Sequence, residues 1–404
     1  SRPMRLRFTT AGESHGPGLI AVIEGVPAGV ELTPDDLNYD LARRQLGYGR
    51  GGRMKIEKDA AVVVSGIRHG KTLGSPIALS IPNRDYANWE ERMNPWPVES
   101  EVAEVHLPRP GHADLPGVQK FGHNDVRNVL ERASARETTA RVAVGAVARA
   151  VLRDLGVGVR SHVTRIGEVD APQPAAPLQL SDFEGVDESP VRCLDKDVER
   201  QMIRHIDVQR KANETIGGIF EVLVFGLVPG IGSYATWDGR IEGRLAQAMC
   251  SIQAIKGVGF GDGFGLTNIP GSSAHDEVFP GGAGPTTPFG FHRTTNHAGG
   301  IEGGMTNGET VVVKAAMKPL PTLTKPLRSV DIATGDEAAA LKERTDSCTV
   351  PAAGVVGEAM AALVFAESYL EKFGGDNIAD TRAALSAYQD RIAEEVFFSA
   401  QEQN

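Results

Sequence analysis

Four short stretches hold the side chains able to do chemistry. Gly12-Glu13-Ser14-His15-Gly16 is a tight polar loop between two strand-like runs, larger than a simple hairpin needs. A histidine there suits proton transfer near neutral pH, although a solvent-facing turn histidine would look the same. Arg43-Arg44-Gln45-Leu46-Gly47-Tyr48-Gly49-Arg50-Gly51-Gly52-Arg53 offers four arginines on a glycine-rich backbone. Guanidinium forks grip carboxylates and phosphates bidentately, which a lysine point charge does not. A basic loop closing a helix C-terminus is the competing reading, since arginines suit that end of the dipole anyway. Residues 109–155 begin with Arg109-Pro110-Gly111-His112-Ala113-Asp114 and continue through Arg132 and Arg136 into a helix rich in alanine and valine. Ser134 and Glu137 have capping-box spacing, so this helix is expected to start at Ser134, with first-turn N–H groups facing an anion. A core helix with solvated end arginines would present the same pattern. Arg344-Thr345-Asp346 precedes a second apolar helix, and Arg344 and Asp346 alone would pass for a surface ion pair.

The elements that must carry these groups follow from periodicity and caps. Strands are expected at residues 5–10, 19–24, 61–65, 76–81, 157–169, 216–228 and 309–317. Thr33-Pro34-Asp35-Asp36 predicts a helix to about Leu46. Helices are also expected after Ser134, around Val198, Met202 and Ile206, around Leu245, Met249 and Ile252, and over residues 351–373. The first and last of these are apolar on nearly every face, which predicts burial. Residues 86–104 read as a surface excursion, 170–190 as a proline- and acid-rich connection, and 253–257 as a glycine-rich turn. Residues 280–308 form a glycine-dense loop too long for a simple turn. One domain over 4–373 with a helical tail over 374–404 is expected, and no internal repeat is seen.

Composition narrows the partners. The 404 residues carry 42 Lys plus Arg against 52 Asp plus Glu, a net charge of −10, which disfavours nucleic acid. Clustered arginines in an acidic chain point instead to a small anionic ligand. Cys193, Cys250 and Cys348 have neither disulfide nor zinc-site spacing, so no metal is expected. No charged-then-apolar leader opens the chain and no run of about 18 apolar residues is evident, so a cytoplasmic protein outside the membrane is expected. The 47 glycines and scarce aromatics favour backbone approach to a ligand over stacking.

Taken together, these loops resemble the chorismate synthase family. Residues 11–19 with Gly-Glu-Ser-His-Gly, 131–148 with Arg-Ala-Ser-Ala-Arg-Glu, and 344–360 with Arg-Thr-Asp-Ser-Cys carry the likeness. The Arg-Pro-Gly-His-Ala-Asp stretch, Asn296-His297-Ala298-Gly299-Gly300 and the segment from Lys318 also fit. It spans residues 4–370, is thinnest over 170–195 and does not reach the final residues.

The resemblance implies a 1,4-anti elimination of phosphate from 5-enolpyruvylshikimate 3-phosphate to give chorismate, dependent on reduced FMN (FMNH2) without net redox change. It implies an α/β fold of the α+β type, with helices sandwiched between antiparallel sheets, in a homotetramer. By carry-over, His15 with Ser14 beside it assists phosphate departure, His112 serves the reduced flavin, and Asp346 accepts or relays the departing ring hydrogen. The substrate positions are Arg44, Arg50, Arg53, Arg109, Arg136 and Arg344. The flavin positions are Arg132, Ala133, Ser134, Gln253, Ala254, Gly303, Lys318, Pro319, Leu320, Pro321, Thr322 and Arg344. No nicotinamide fingerprint is found, so an external flavin reductase is the expected source of reduced FMN. A flavin-independent enzyme acting on a phosphorylated carboxylate, and a non-catalytic anion-binding protein, are the rival readings.

Overall fold

Alternation along strand β2 (Gly18–Glu24) sets the first layer: Leu19, Ala21 and Ile23 are buried while Ile20 faces out. In the computed structural model, β2 pairs with β1 (Arg7–Ala11) on one side. On the other side lies β4 (Ile77–Pro82), itself paired with β3 (Val62–Ser65). Leu19 stands opposite Ile81, Ala21 opposite Leu79 and Ile23 opposite Ile77, so one face of this antiparallel sheet is continuous hydrocarbon. The structure describes residues 6–51, 58–280, 291–343 and 345–401, with side chains to residue 393.

The second sheet is also antiparallel, in the order β8-β9-β7-β5-β6. Its strands are β5 (Gly158–Ile166), β6 (Val169–Asp170), β7 (Gly218–Phe225), β8 (Ile255–Phe260) and β9 (Val311–Met317). Strand β8 occupies part of the stretch expected as a turn. Gln253 and Ala254 do turn, but from Ile255 the chain runs along β9, with a bulge at Gly257 absorbing the irregular register.

Between the sheets lie two helices that are apolar all round. Helix α4 (Thr138–Asp154) covers β2 and β4, and α7 (Val350–Phe373) covers β5 and β7. The two pack on each other, and α1 (Pro34–Gln45) packs against both. The order sheet, helix, helix, sheet is the expected sandwich. Their crossing is made of small residues: a Cβ on Gly145 would come within 2.4 Å of the Ala359 Cβ. Helix α7 is long and apolar enough to cross a membrane by length and composition, although Glu358 and Glu367 interrupt its apolar run, and it is buried in the core. Phe365 and Tyr369 on it are completely buried, and truncating such an aromatic to alanine costs about 3–5 kcal/mol.

The remaining helices are α2 (Asp114–Phe121), α3 (Arg127–Ala133), α5 (Lys196–Lys211), α6 (Ile241–Cys250) and α8 (Ile378–Gln401). Helix α8 docks its first turns, with Ile378 and Leu385 inside the main core. The α4 start differs from expectation. Residues Ala135–Glu137 form a 3-10 turn and the α-helix begins at Thr138. The Ser134 hydroxyl accepts the Arg136 N–H at 3.2 Å, and the Glu137 carboxylate does not turn back to Ser134. It accepts instead from Thr10 at 2.7 Å, Arg141 at 2.9 Å and Gln253 at 3.2 Å. Thr10 and Gln253 from other elements, with Arg141 one turn along the helix, outcompete the Ser134 backbone N–H because the carboxylate is buried.

Candidate active site

Loops from both sheets and the N-terminal ends of both core helices meet at one end of the sandwich. There they line a cavity of about 470 Å³. Helix N-termini bring unpaired N–H groups and positive dipole ends, so this end favours anions before any side chain is counted. The β1–β2 loop brings Ser14 and His15, the end of α1 brings Arg44, and the loop after it brings Arg50. The turn into α4 brings Ala133, Ser134 and Arg136, while the loop before α7 brings Asp346. Arg109 and His112 precede α2, Gln253 and Ala254 precede β8, and Lys318, Leu320, Pro321 and Thr322 follow β9. Sixteen residues picked out in the sequence thus share one cavity.

His15 is fixed by Glu131, a residue the sequence reading missed. Its Nδ1 lies 2.8 Å from Glu131 Oε1, and its backbone N–H donates to Glu131 Oε2 at 2.8 Å. Burial would raise the Glu131 pKa, but bonding and charge from His15 and the charge of Arg127 hold it below the ordinary value. With Nδ1 so occupied, Nε2 is the nitrogen available for proton transfer.

His112 has a similar backing. Its Nδ1 lies 3.0 Å from Asp114 Oδ1, and Asp114 is completely buried. Arg109 donates to the same carboxylate through its backbone N–H at 2.9 Å, Nε at 2.9 Å and Nη2 at 3.1 Å. Burial opposes ionisation of Asp114, yet the His112 and Arg109 bonds and the Arg109 charge hold it well below the usual carboxylate range. Arg109 also donates through Nη1 to Thr322 at 3.0 Å and Glu343 at 3.2 Å. Its guanidinium contributes fixed charge at the cavity wall while its donors serve Asp114, Thr322 and Glu343.

The other cations are also held in place. Arg44 donates to the Thr138 hydroxyl at 3.0 Å and the Ala135 carbonyl at 2.9 Å. Arg136 donates to Asp59 at 2.6 Å, and Lys318 to the Gly111 carbonyl at 2.6 Å. Arg50 donates through Nε to Asp346 at 3.0 Å. Apolar atoms of Leu130, Ile252, Met317, Leu320 and Val356 complete the walls.

Two features of the cavity suit a planar heterocycle. Among the described residues, the buried Gln253 Oε1 has no hydrogen-bond partner, an acceptor left unsatisfied beside the wall. Ala254 stands at φ 68°, a strained backbone for a residue with a Cβ. Among the described residues, no group of histidine, cysteine and acidic side chains is arranged to hold a metal.

Several expected residues lie elsewhere. Arg132 is outside the cavity lining and ties the β1 end, donating to the Thr10 carbonyl at 2.9 Å and the Gly12 carbonyl at 3.2 Å. Gly303 is in the exposed turn of a hairpin formed by Ile301–Glu302 and Met305–Thr306, and Pro319 is not among the lining residues. Arg53 and Arg344 lie outside the described residues. Residues 86–104 are not wholly a surface excursion, because Trp89 stacks on His15 with ring centroids 3.8 Å apart. Signals for some missed residues existed: Arg127 and Glu131 are spaced i, i+4 on one helix, and Asp114 follows His112 by two positions. None existed for Trp89.

The chorismate synthase sequence family matches residues 6–370. Proteins named chorismate synthase from Rubrobacter xylanophilus and Carboxydothermus hydrogenoformans are 54% and 52% identical to this chain. Each alignment covers 96% of the chain, with 98% and 99% of the relative. A solved structure titled as a crystal structure of chorismate synthase superposes with a TM-score of 0.78 at 40% identity, covering 97% of this chain and 99% of that one. With the family signature spanning nearly the whole sandwich and its loops, the chain belongs to the chorismate synthase family.

Proposed function

We propose that this chain converts 5-enolpyruvylshikimate 3-phosphate to chorismate by 1,4-elimination of phosphate and a ring hydrogen, using reduced FMN. The observation that carries the reading is the convergence of His15, His112 and Asp346 with Arg44, Arg50, Arg109, Arg136 and Lys318 on one cavity. A substrate with two carboxylates and a phosphate needs such a density of fixed cations, and their protein partners keep them aimed before it arrives.

Gln253, Ala254 and the segment from Lys318 to Thr322 would hold the flavin, the open Gln253 Oε1 meeting an N–H of its ring. Reduced flavin supplies electron density for breaking an unactivated C–H bond, with no net redox change. Arg44, Arg50 and Arg136 neutralise the substrate's anionic groups. His15, oriented by Glu131 through Nδ1, gives a proton to the departing phosphate from Nε2. Asp346, oriented by Arg50, receives or relays the hydrogen lost from the ring. His112, fixed by Asp114, would serve the flavin's polar edge. We assign Arg53, Arg344, Arg132, Gly303 and Pro319 to ligand contact on the resemblance alone. A homotetramer in the cytoplasm, supplied with reduced FMN by an external reductase, completes the reading.

The test is an anaerobic assay of phosphate release from 5-enolpyruvylshikimate 3-phosphate, with and without reduced FMN. Release is expected only when both are present. No release with both sinks the proposal, and equal release without flavin favours a flavin-independent lyase.

A further inference from the structure

His15 is gripped from two directions at right angles. In the ring plane, Glu131 takes Nδ1; on one ring face, the indole of Trp89 lies at 3.8 Å between centroids with 24° between planes. Trp89 does not line the cavity, so it supports the histidine from behind. The indole is itself anchored: its Nε1–H donates to Asp85 at 3.0 Å, and the Arg127 and Arg92 guanidinium carbons lie 5.2 Å and 5.0 Å from its centroid. Arg127 also donates to Glu131 Oε1 at 2.8 Å, so one cation links both supports. The Trp89 segment is tied to the His15 loop, Asn83 donating from its side chain to the Gly16 carbonyl at 2.9 Å.

We infer that Trp89 is a positioning residue for the reaction proposed above, its indole face holding the His15 ring so that Nε2 points into the cavity. An imidazole hydrogen-bonded only through Nδ1 can still pivot about that bond; a face-on stack removes the pivot. The charged groups that face this assembly are Glu131 and Arg127 from α3, and Arg92 and Asp85 from the Trp89 segment. The inference rests on the proposed function for its kinetic part and on geometry alone for the stack.

Two measurements test it. The first uses full-length chain with Trp96→Phe and Trp237→Phe, residues 76% and 88% exposed, leaving Trp89 as the single tryptophan. Its emission should change with His15→Gln, which removes the ring stacked on the indole face. An emission spectrum and yield unchanged by His15→Gln overturn the stack even if the chain has no chorismate-forming activity. The second is steady-state kinetics. Trp89→Ala should lower kcat on the order of ten- to a hundredfold, within the range for impaired acid catalysis, with substrate KM changed less than about threefold. Trp89→Phe, which keeps an aromatic face but loses the Asp85 bond, should restore most of kcat. An unchanged kcat, a change confined to KM, or a phenylalanine variant no better than alanine overturns the positioning role.

Discussion

Asp346 accepts the Nε–H of Arg50 at 3.0 Å and the backbone N–H of Gly51 beside it, so a proposed substrate cation and a proposed proton carrier are one unit. Arg50 also donates through Nη1 to the Arg44 carbonyl at 3.1 Å. The α1 loop and the loop before α7 are thereby fastened together across the cavity mouth.

Replacing that fork tests the unit. Arg50→Lys should weaken substrate binding by about 1.5–3 kcal/mol, the value of a charge-assisted hydrogen bond, with the thermal midpoint nearly unchanged. Combined with Asp346→Asn, the two effects should fall short of their sum, as expected for groups in direct contact. Calorimetric titration of the single and double variants measures this; strict additivity would separate the two residues.

The proposed roles of His15 and Asp346 lie at opposite ends of the elimination. His15→Ala should slow turnover by roughly a hundred- to ten-thousandfold while ligands still bind. With substrate deuterated at the departing position, its isotope effect should shrink, because C–O cleavage then dominates. Asp346→Asn should enlarge the isotope effect. Single-turnover flavin absorbance reads both, and parental isotope effects in both variants would contradict the assignment.

The buried Asp114 predicts a pH signature in stability. Its carboxyl is held below the usual range in the folded chain, whereas in the unfolded chain it titrates near its ordinary value of 3.8. The stabilisation is therefore fully present above about pH 4 and is lost as pH falls toward the folded value. Asp114→Asn should destabilise the chain near pH 7, by less than the about 3–5 kcal/mol of a wholly unpaired buried charge, since Arg109 loses its buried counter-charge but keeps Glu343 at 3.2 Å. The gap between parent and variant should narrow below about pH 4. Denaturant titrations from pH 3 to 7 would show it, and a gap independent of pH would point to lost packing instead.

Because no nicotinamide fingerprint is found, oxidised FMN with NADPH should not sustain turnover when contaminating reductases are excluded. Steady chorismate formation from that mixture would reveal a reductase activity in this chain.

The sequence was most legible where chemistry and local caps coincide. Thr33 forms its capping box with Asp36, and α1 ends within a residue of expectation. The strands and both apolar core helices also fall close to where periodicity put them. What could not be read were contacts made by folding. Glu137 has the spacing of a cap but is claimed by Thr10 and Gln253, from two other elements, together with Arg141 one turn on. Trp89 is 74 positions from His15 in the chain, and nothing in its neighbours announces an aromatic stack. The 253–257 stretch looked like a turn because glycine weakens a strand, and only pairing with β9 makes β8 one. The cations were recognisable individually, while Asp114 and Glu131, which hold His112 and His15, became visible only in three dimensions.

The Gly145–Ala359 crossing leaves evolution almost nothing to trade. Where a large and a small residue meet, a lineage can exchange their sizes across the contact; here one partner has no side chain and the other a single methyl. Any enlargement must be absorbed by moving α7, and α7 carries Ala352, Ala353 and Val356 into the cavity wall. The thickness of the helical layer is thus the caliper that sets how far the His15 loop of one sheet stands from the Lys318 end of the other. Drift at residue 145 would register first as altered turnover, in a position that touches no ligand.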